Sequence, residues 1–217
     1  MQKKYARSRL LPALVLLAIL ALVASCANSG GGEEQGSNGS RDGMQGMAHG
    51  SESTDGASEM LMENGEYSDE RFIDAMVPHH QGAIEMARVA LENAEHTEIL
   101  ALAEEIVAAQ ETEIVQLKAI KQEQFGTSEV SMDMSDEEME GMGMAMDPQE
   151  LATQEPFDKA FIDDMIPHHE SAIAMARVVL EESDNPEMRE IAGAIVDAQE
   201  REIEQMTSWR DEWYPEG

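Results

Sequence analysis

The chain has almost no means of covalent bracing. Cys26 is its one cysteine in 217 residues, so no disulfide can form within the chain and stability must come from packing. Aromatic residues are 4%, which leaves aliphatic side chains and methionine to fill a core. Positive charge is scarce: 14 Lys and Arg face 45 Asp and Glu, for a net charge of −31. Such a surface repels phosphates, which argues against nucleic acid as a partner, and it suits cations. Catalytic signatures are lacking too. There is no nucleophile–base arrangement, no glycine-rich phosphate loop and no cysteine pair for haem attachment, so nothing points to an enzyme. The longest apolar run, Leu10–Val23, is too short and wrongly flanked for a stable transmembrane helix.

What is present is a repeat. FIDAMVPHH at 72–80 returns as FIDDMIPHH at 161–169, an offset of 89 residues. The register then holds without a gap. Met86-Ala87-Arg88-Val89 matches Met175-Ala176-Arg177-Val178, Gln110-Glu111 matches Gln199-Glu200, and Glu113-Ile114 matches Glu202-Ile203. A unit of roughly 55 residues is duplicated, and four of the six histidines lie in its two copies.

Residues 1–25 read as an export signal, with Lys3, Lys4, Arg7 and Arg9 ahead of the apolar run. The run ends in Val23-Ala24-Ser25-Cys26, which resembles a bacterial lipobox and makes Cys26 the expected lipidation site. Lipid there anchors a protein to a membrane without spanning it. The expected location is the outer face of the cytoplasmic membrane or the periplasm. Residues 26–66, rich in Gly, Ser and Glu, are expected to be a flexible tether. The tether carries Met44, Met47 and His49, an auxiliary set of soft-metal ligands.

Residues 67–217 hold two helical hairpins. Repeat one spans 67–126, a Met-rich acidic loop 127–152, and repeat two 153–217. Ser68 is the expected N-cap of the first helix, and Gly126 ends the second. Pro78 falls inside the first helix and predicts a kink beside the histidine pair. Ser131–Met146 holds six Met and five acids. Its Met132, Met134, Met139, Met142, Met144 and Met146 form a second auxiliary capture set. Trp209, Trp213 and Tyr214 are expected to seal one end.

Each copy places Met, His, His, Gln and Glu on or beside a core-facing stripe. Met76 lies three and four residues before His79 and His80, so one helix face carries all three. Met86 is about 10 Å further along the helix, in a neighbouring layer. Glu113 sits in the middle of the second helix's apolar stripe, and Glu202 does the same in repeat two. A buried carboxylate needs a partner, and a histidine, Arg88 or Arg177, or a metal would serve. Taken singly, a His-His pair or a stripe of Met is more often structural. Taken together and duplicated, imidazole and thioether are the donors favoured by copper, above all Cu(I), and by silver through its similar softness. Zinc has little use for Met, calcium and magnesium want oxygen, and the Glu-x-x-His signature of di-iron bundles is absent from the repeats.

The paired FIDxM[IV]PHHxxAIxMA and AQxxEI motifs resemble those of domain-of-unknown-function family 305, over about residues 67–214. The resemblance implies a ferritin-like helical fold and, for some members, copper binding through His and Met. Carried over by motif, the ligands are Met76, His79, His80 and Met86, with Met165, His168, His169 and Met175. Glu113 and Glu202 join them from the facing helices on the stripe argument. The expected fold is all-α, a four-helix bundle built from two duplicated hairpins, since neither hairpin alone buries its stripe. The expected function is extracytoplasmic sequestration or delivery of copper (or silver), through a metal-transfer partner or a homo-oligomer. The alternative is a metal-free envelope interaction or stress module, its polar core purely structural.

Overall fold

A computed structural model of the chain describes residues 60–63, 65–132, 135, 139 and 147–216. The signal segment, Cys26, Met44, Met47 and His49 lie outside the described residues, as do Met134, Met142, Met144 and Met146.

Two long helical hairpins form the body. In the first, α1 (Asp69–Asn93) pairs with α2 (Thr97–Phe125). A one-turn α3 (Pro148–Leu151) leads to the second, in which α4 (Phe157–Glu182) pairs with α5 (Pro186–Trp213). The ends follow local chemistry. Ser68 caps α1, its hydroxyl accepting from the Arg71 N–H, with Asp69 and Glu70 in the first turn against the helix dipole. Gly126 ends α2 at φ 76°, a left-handed conformation that costs glycine little. Asn185 caps α5 ahead of Pro186, whose missing N–H is of no consequence in a first turn. α1 and α4 each run on through an internal proline, Pro78 and Pro167.

Two boundaries differ from expectation. Regular structure begins before residue 66: β1 (Met62–Glu63) and β2 (Glu66–Tyr67) pair antiparallel about Gly65, which takes φ 83°. Leu61 is the reason, since it is fully buried in the bundle core and its carbonyl accepts from the Ser68 N–H. The third long helix starts at Phe157, because the preceding segment turns through α3 to bury Leu151.

The hairpins pack through α1 against α4, with α2 flanking one and α5 the other. This is an all-α four-helix bundle. Its apolar core is divided into two clusters. One joins Phe72, Met76 and Val77 of α1 to Leu117 of α2, to Met175 and Val179 of α4, and to Met188 and Ile195 of α5. The other joins Met86 and Ala90 of α1 to Ile99 and Ile106 of α2, to Phe161 and Met165 of α4, and to Met206 of α5. Side chains such as Phe72 and Phe161, both at 0% exposure, each contribute about 1.5–3 kcal/mol by leaving water. Between the two clusters along α1 and α4 lie the histidines.

Candidate metal centre

His79 and His168 occupy equivalent positions in the two repeats, and their rings meet, with centroids 3.8 Å apart and planes tilted by 43°. Contact between equivalent residues puts an approximate twofold axis between them. His80 and His169 lie to either side, their ring centroids 6.4 Å and 6.3 Å from those of their neighbours His79 and His168. All four rings are fully buried. Consecutive residues on a helix are about 100° apart. One histidine of each pair therefore faces the axis, and the other faces the second helix of its own hairpin.

There each outer histidine meets a carboxylate. His80 Nε2 lies 2.8 Å from Glu113 Oε2 as an ion-pair contact, and His169 Nε2 donates to Glu202 Oε2 at 2.6 Å. The arginines expected as alternative partners do not take these carboxylates. Arg88 pairs with Glu111 and Arg177 with Glu200, both on the exposed surface. Gln110 and Gln199, 2% and 3% exposed, lie three residues before Glu113 and Glu202. The Oε1 atom of each has no hydrogen-bond partner.

Several ring nitrogens are unsatisfied as well. Neither His168 nitrogen and neither His80 nitrogen makes a well-formed hydrogen bond, His80 Nε2 having only its close contact with Glu113, and Nδ1 of His169 is likewise without a partner. A buried polar atom without a partner is costly, and an imidazole nitrogen in that state is a free donor for a metal ion. Burial holds the His168 ring well below the usual histidine range, with the neighbouring histidines adding to the effect and a His79 backbone contact opposing it. His168 is therefore neutral, the form in which imidazole ligates. His79 differs from its counterpart because the Ser171 hydroxyl lies 2.7 Å from its Nε2 while donating to the His168 carbonyl. The matching position in repeat one is Gly82, which has no hydroxyl to offer His168. Ser171 was not singled out from sequence. The signal was the Gly/Ser mismatch beside an otherwise matching motif.

The methionines are divided between the two sides of this polar layer. Met76 shares a cluster with Met175, and Met86 with Met165. Each pair takes one residue from each repeat, as antiparallel α1 and α4 require. Met76 and Met86 thus belong to opposite sides of the histidines. Among the described residues, no three His, Cys, Asp or Glu side chains are grouped as around one ion. A metal ion here would need thioethers or a shift of the rings to complete its ligand set. Of the auxiliary methionines that are described, Met132 is half exposed and Met139 partly buried.

Charge is arranged in duplicate, one pair on each side of the layer. Lys121, buried, pairs with Asp74 and lies 3.7 Å from Glu70, and its counterpart Arg210 pairs with Asp163 at 2.8 Å. Asp164 follows Asp163, and burial together with that neighbour's charge raises its carboxyl to about 6. Towards the bundle end beyond Asp163, buried Asp158 accepts from the backbone N–H groups of Glu95 and His96 and contacts His96 Nδ1 at 2.5 Å. The His96 ring stacks on Trp213 at 3.8 Å, and Trp213 on Trp209 at 5.6 Å.

Comparison with known proteins identifies the fold and the family. The sequence pattern of the domain of unknown function DUF305 matches residues 18–121 and 69–210. Crystal forms of CopM superpose on the chain. The Cu(I)-bound form is 38% identical with a TM-score of 0.60, and the Cu(II)-bound form 42% identical with a TM-score of 0.63, each covering 69% of this chain and 99% of CopM. CopM has also been crystallised with silver. A DUF305 fragment from Deinococcus radiodurans is 29% identical, with a TM-score of 0.59 over 64% of this chain and 93% of its own. A candidate secreted DUF305 protein from Streptomyces coelicolor is 25% identical, with a TM-score of 0.57 over 66% of this chain and 92% of its own. An uncharacterised protein of Acanthamoeba polyphaga mimivirus is 36% identical over 55 residues, and the match spans 36% of that protein's length. With two overlapping matches to one family pattern and a bundle superposing on its solved members, the chain belongs to the DUF305 family.

Proposed function

We propose that the protein binds copper, as Cu(I), or silver outside the cytoplasm and sequesters or delivers it. The observation that carries this reading is the group of buried, unpartnered imidazole nitrogens on His80, His168 and His169 where the two repeats meet. Neutral imidazole with nearby thioether is a soft donor set, and it suits Cu(I) and Ag(I) better than zinc or the alkaline earths. His79, His80, His168 and His169 supply nitrogen, and Met76, Met86, Met165 and Met175 supply sulfur from the two sides of the layer. Glu113 and Glu202 bring negative charge that offsets the ion's. Binding of copper and silver by CopM supports the same reading. Lipid on Cys26 would hold the module at the cell envelope, with Met44, Met47, His49 and the methionines of 131–146 as capture groups. No described helix is long and apolar enough to cross a membrane.

The test is the quadruple variant His79→Ala, His80→Ala, His168→Ala, His169→Ala. Ag(I) or Cu(I) binding, measured by competition with a chromophoric chelator, should be lost while helicity by circular dichroism persists. Undiminished affinity would overturn the proposal. The second reading, a metal-free interaction module, is favoured by the close His–Glu contacts, which can serve as internal links. It expects the melting temperature to ignore both ions, whereas an ion bound only by the folded state raises it.

A further inference from the structure

We infer that Glu113 and Glu202 are positioning residues rather than ligands. Each fixes the tautomer of the histidine it touches, so that His80 and His169 present Nδ1 to the ion. The inference rests on the metal-binding reading and assigns the ligating atom within it.

The argument starts from what each ring nitrogen faces. Both outer histidines turn Nε2 to a carboxylate oxygen, at 2.8 Å for His80 and 2.6 Å for His169. A carboxylate accepts only, so the nitrogen beside it carries the hydrogen. A neutral imidazole has one N–H, which leaves Nδ1 with a lone pair. The Nδ1 atoms of both rings are buried and without a hydrogen-bond partner. The arrangement occurs twice, at positions related by the repeat, on different hairpins. The copies differ in degree: His169 Nε2 is hydrogen-bonded to Glu202, whereas His80 Nε2 makes a close contact with Glu113 that falls short of a well-formed hydrogen bond, and in both rings Nδ1 points away from the carboxylate without a partner.

The chemistry follows a general pattern, in which a ligating histidine donates its other N–H to a carboxylate. That bond orients the ring and makes the free nitrogen a stronger donor. It also explains why these glutamates sit on an apolar stripe. Their side chains are only 13% and 14% exposed, and at Glu202 the His169 Nε2–H supplies the hydrogen-bond donor that burial demands. Ligation by the carboxylates themselves would instead break both His–Glu contacts and strand two N–H groups.

Protein labelled with ¹⁵N at histidine, loaded with Ag(I), decides the matter by long-range proton–nitrogen correlation spectra. Silver splits the resonance of the nitrogen it binds. The expected result is splitting at Nδ1 of His80 and His169, with Nε2 still protonated. Splitting at Nε2 would overturn the inference while leaving the metal-binding reading intact, whereas no silver on any histidine would overturn both. The double variant Glu113→Leu, Glu202→Leu should show mixed tautomers and a 10- to 100-fold weaker Ag(I) affinity. Glu113→Gln, Glu202→Gln, whose amide oxygen can still accept, should recover part of it. Unchanged tautomers in the leucine variant would also overturn the inference.

Discussion

His168 shows how a single residue sets a condition on the whole fold. It is fully buried and its pKa lies well below the ordinary 6.5, first because burial disfavours the charged ring. A histidine held neutral in the fold and free to charge when unfolded binds more protons in the unfolded state. Its contribution to stability is therefore fully present above pH 6.5 and is lost as pH falls from there towards the folded-state value. Over that window the slope is about 1.4 kcal/mol per pH unit. Asp164, raised to about 6, works in the opposite direction and costs stability as pH rises through that value. Comparing chemical denaturation of wild type and His168→Gln between pH 7.5 and 5 isolates the histidine, and the variant should show the shallower fall on acidification. The four buried histidines were legible in the sequence because the repeat marked them. Which nitrogen of each stays free was not, since that depends on what the neighbouring helix places opposite it.

At the scale of elements, the hairpins are joined by more than apolar contact. Asp158, in the first turn of α4, reaches the loop between α1 and α2 and takes hydrogen bonds from two backbone N–H groups there, with His96 and Trp213 stacked beside it. The repeat-one counterpart is Asp69, which instead accepts from the Tyr67 hydroxyl at 2.8 Å. Removing Asp158 leaves two partly buried backbone donors without their acceptor. Asp158→Ala should therefore cost about 2 kcal/mol or more in urea denaturation, with a shift in tryptophan emission as the Trp213 stack loosens. The helices themselves were readable from period, caps and breakers: Ser68, Gly126 and Pro186 act as those rules require. The pairing of β1 with β2 was not, because its four residues follow from the burial of Leu61 and not from any β-propensity of their own.

For the whole molecule, the repeat produces an approximate twofold axis, and the histidine layer lies across it. Imidazoles from both hairpins meet there, so the candidate site belongs to the assembled bundle and to neither hairpin alone. Deleting residues 131–146 should leave both the helical content and the equilibrium affinity for Ag(I) in place, as measured by chelator competition. Binding lost with the loop would move the site out of the bundle. An ion bound only by the assembled form should add about 2.7 kcal/mol of stability at a free concentration 100 times its Kd.

The duplicated motif, the apolar stripes and the capping residues determined an all-α bundle of two hairpins, because helical period and end chemistry are local properties. They also marked the histidines and methionines, because residue type and spacing carry donor softness. Only the tertiary structure decided that His79 meets His168, that Glu113 and Glu202 take histidines and not arginines, and that Met76 and Met86 fall on opposite sides of the layer. Those outcomes depend on the crossing of α1 and α4 and on the facing of each hairpin's second helix. Such long-range geometry is set by packing two amphipathic hairpins together, and no local pattern encodes it.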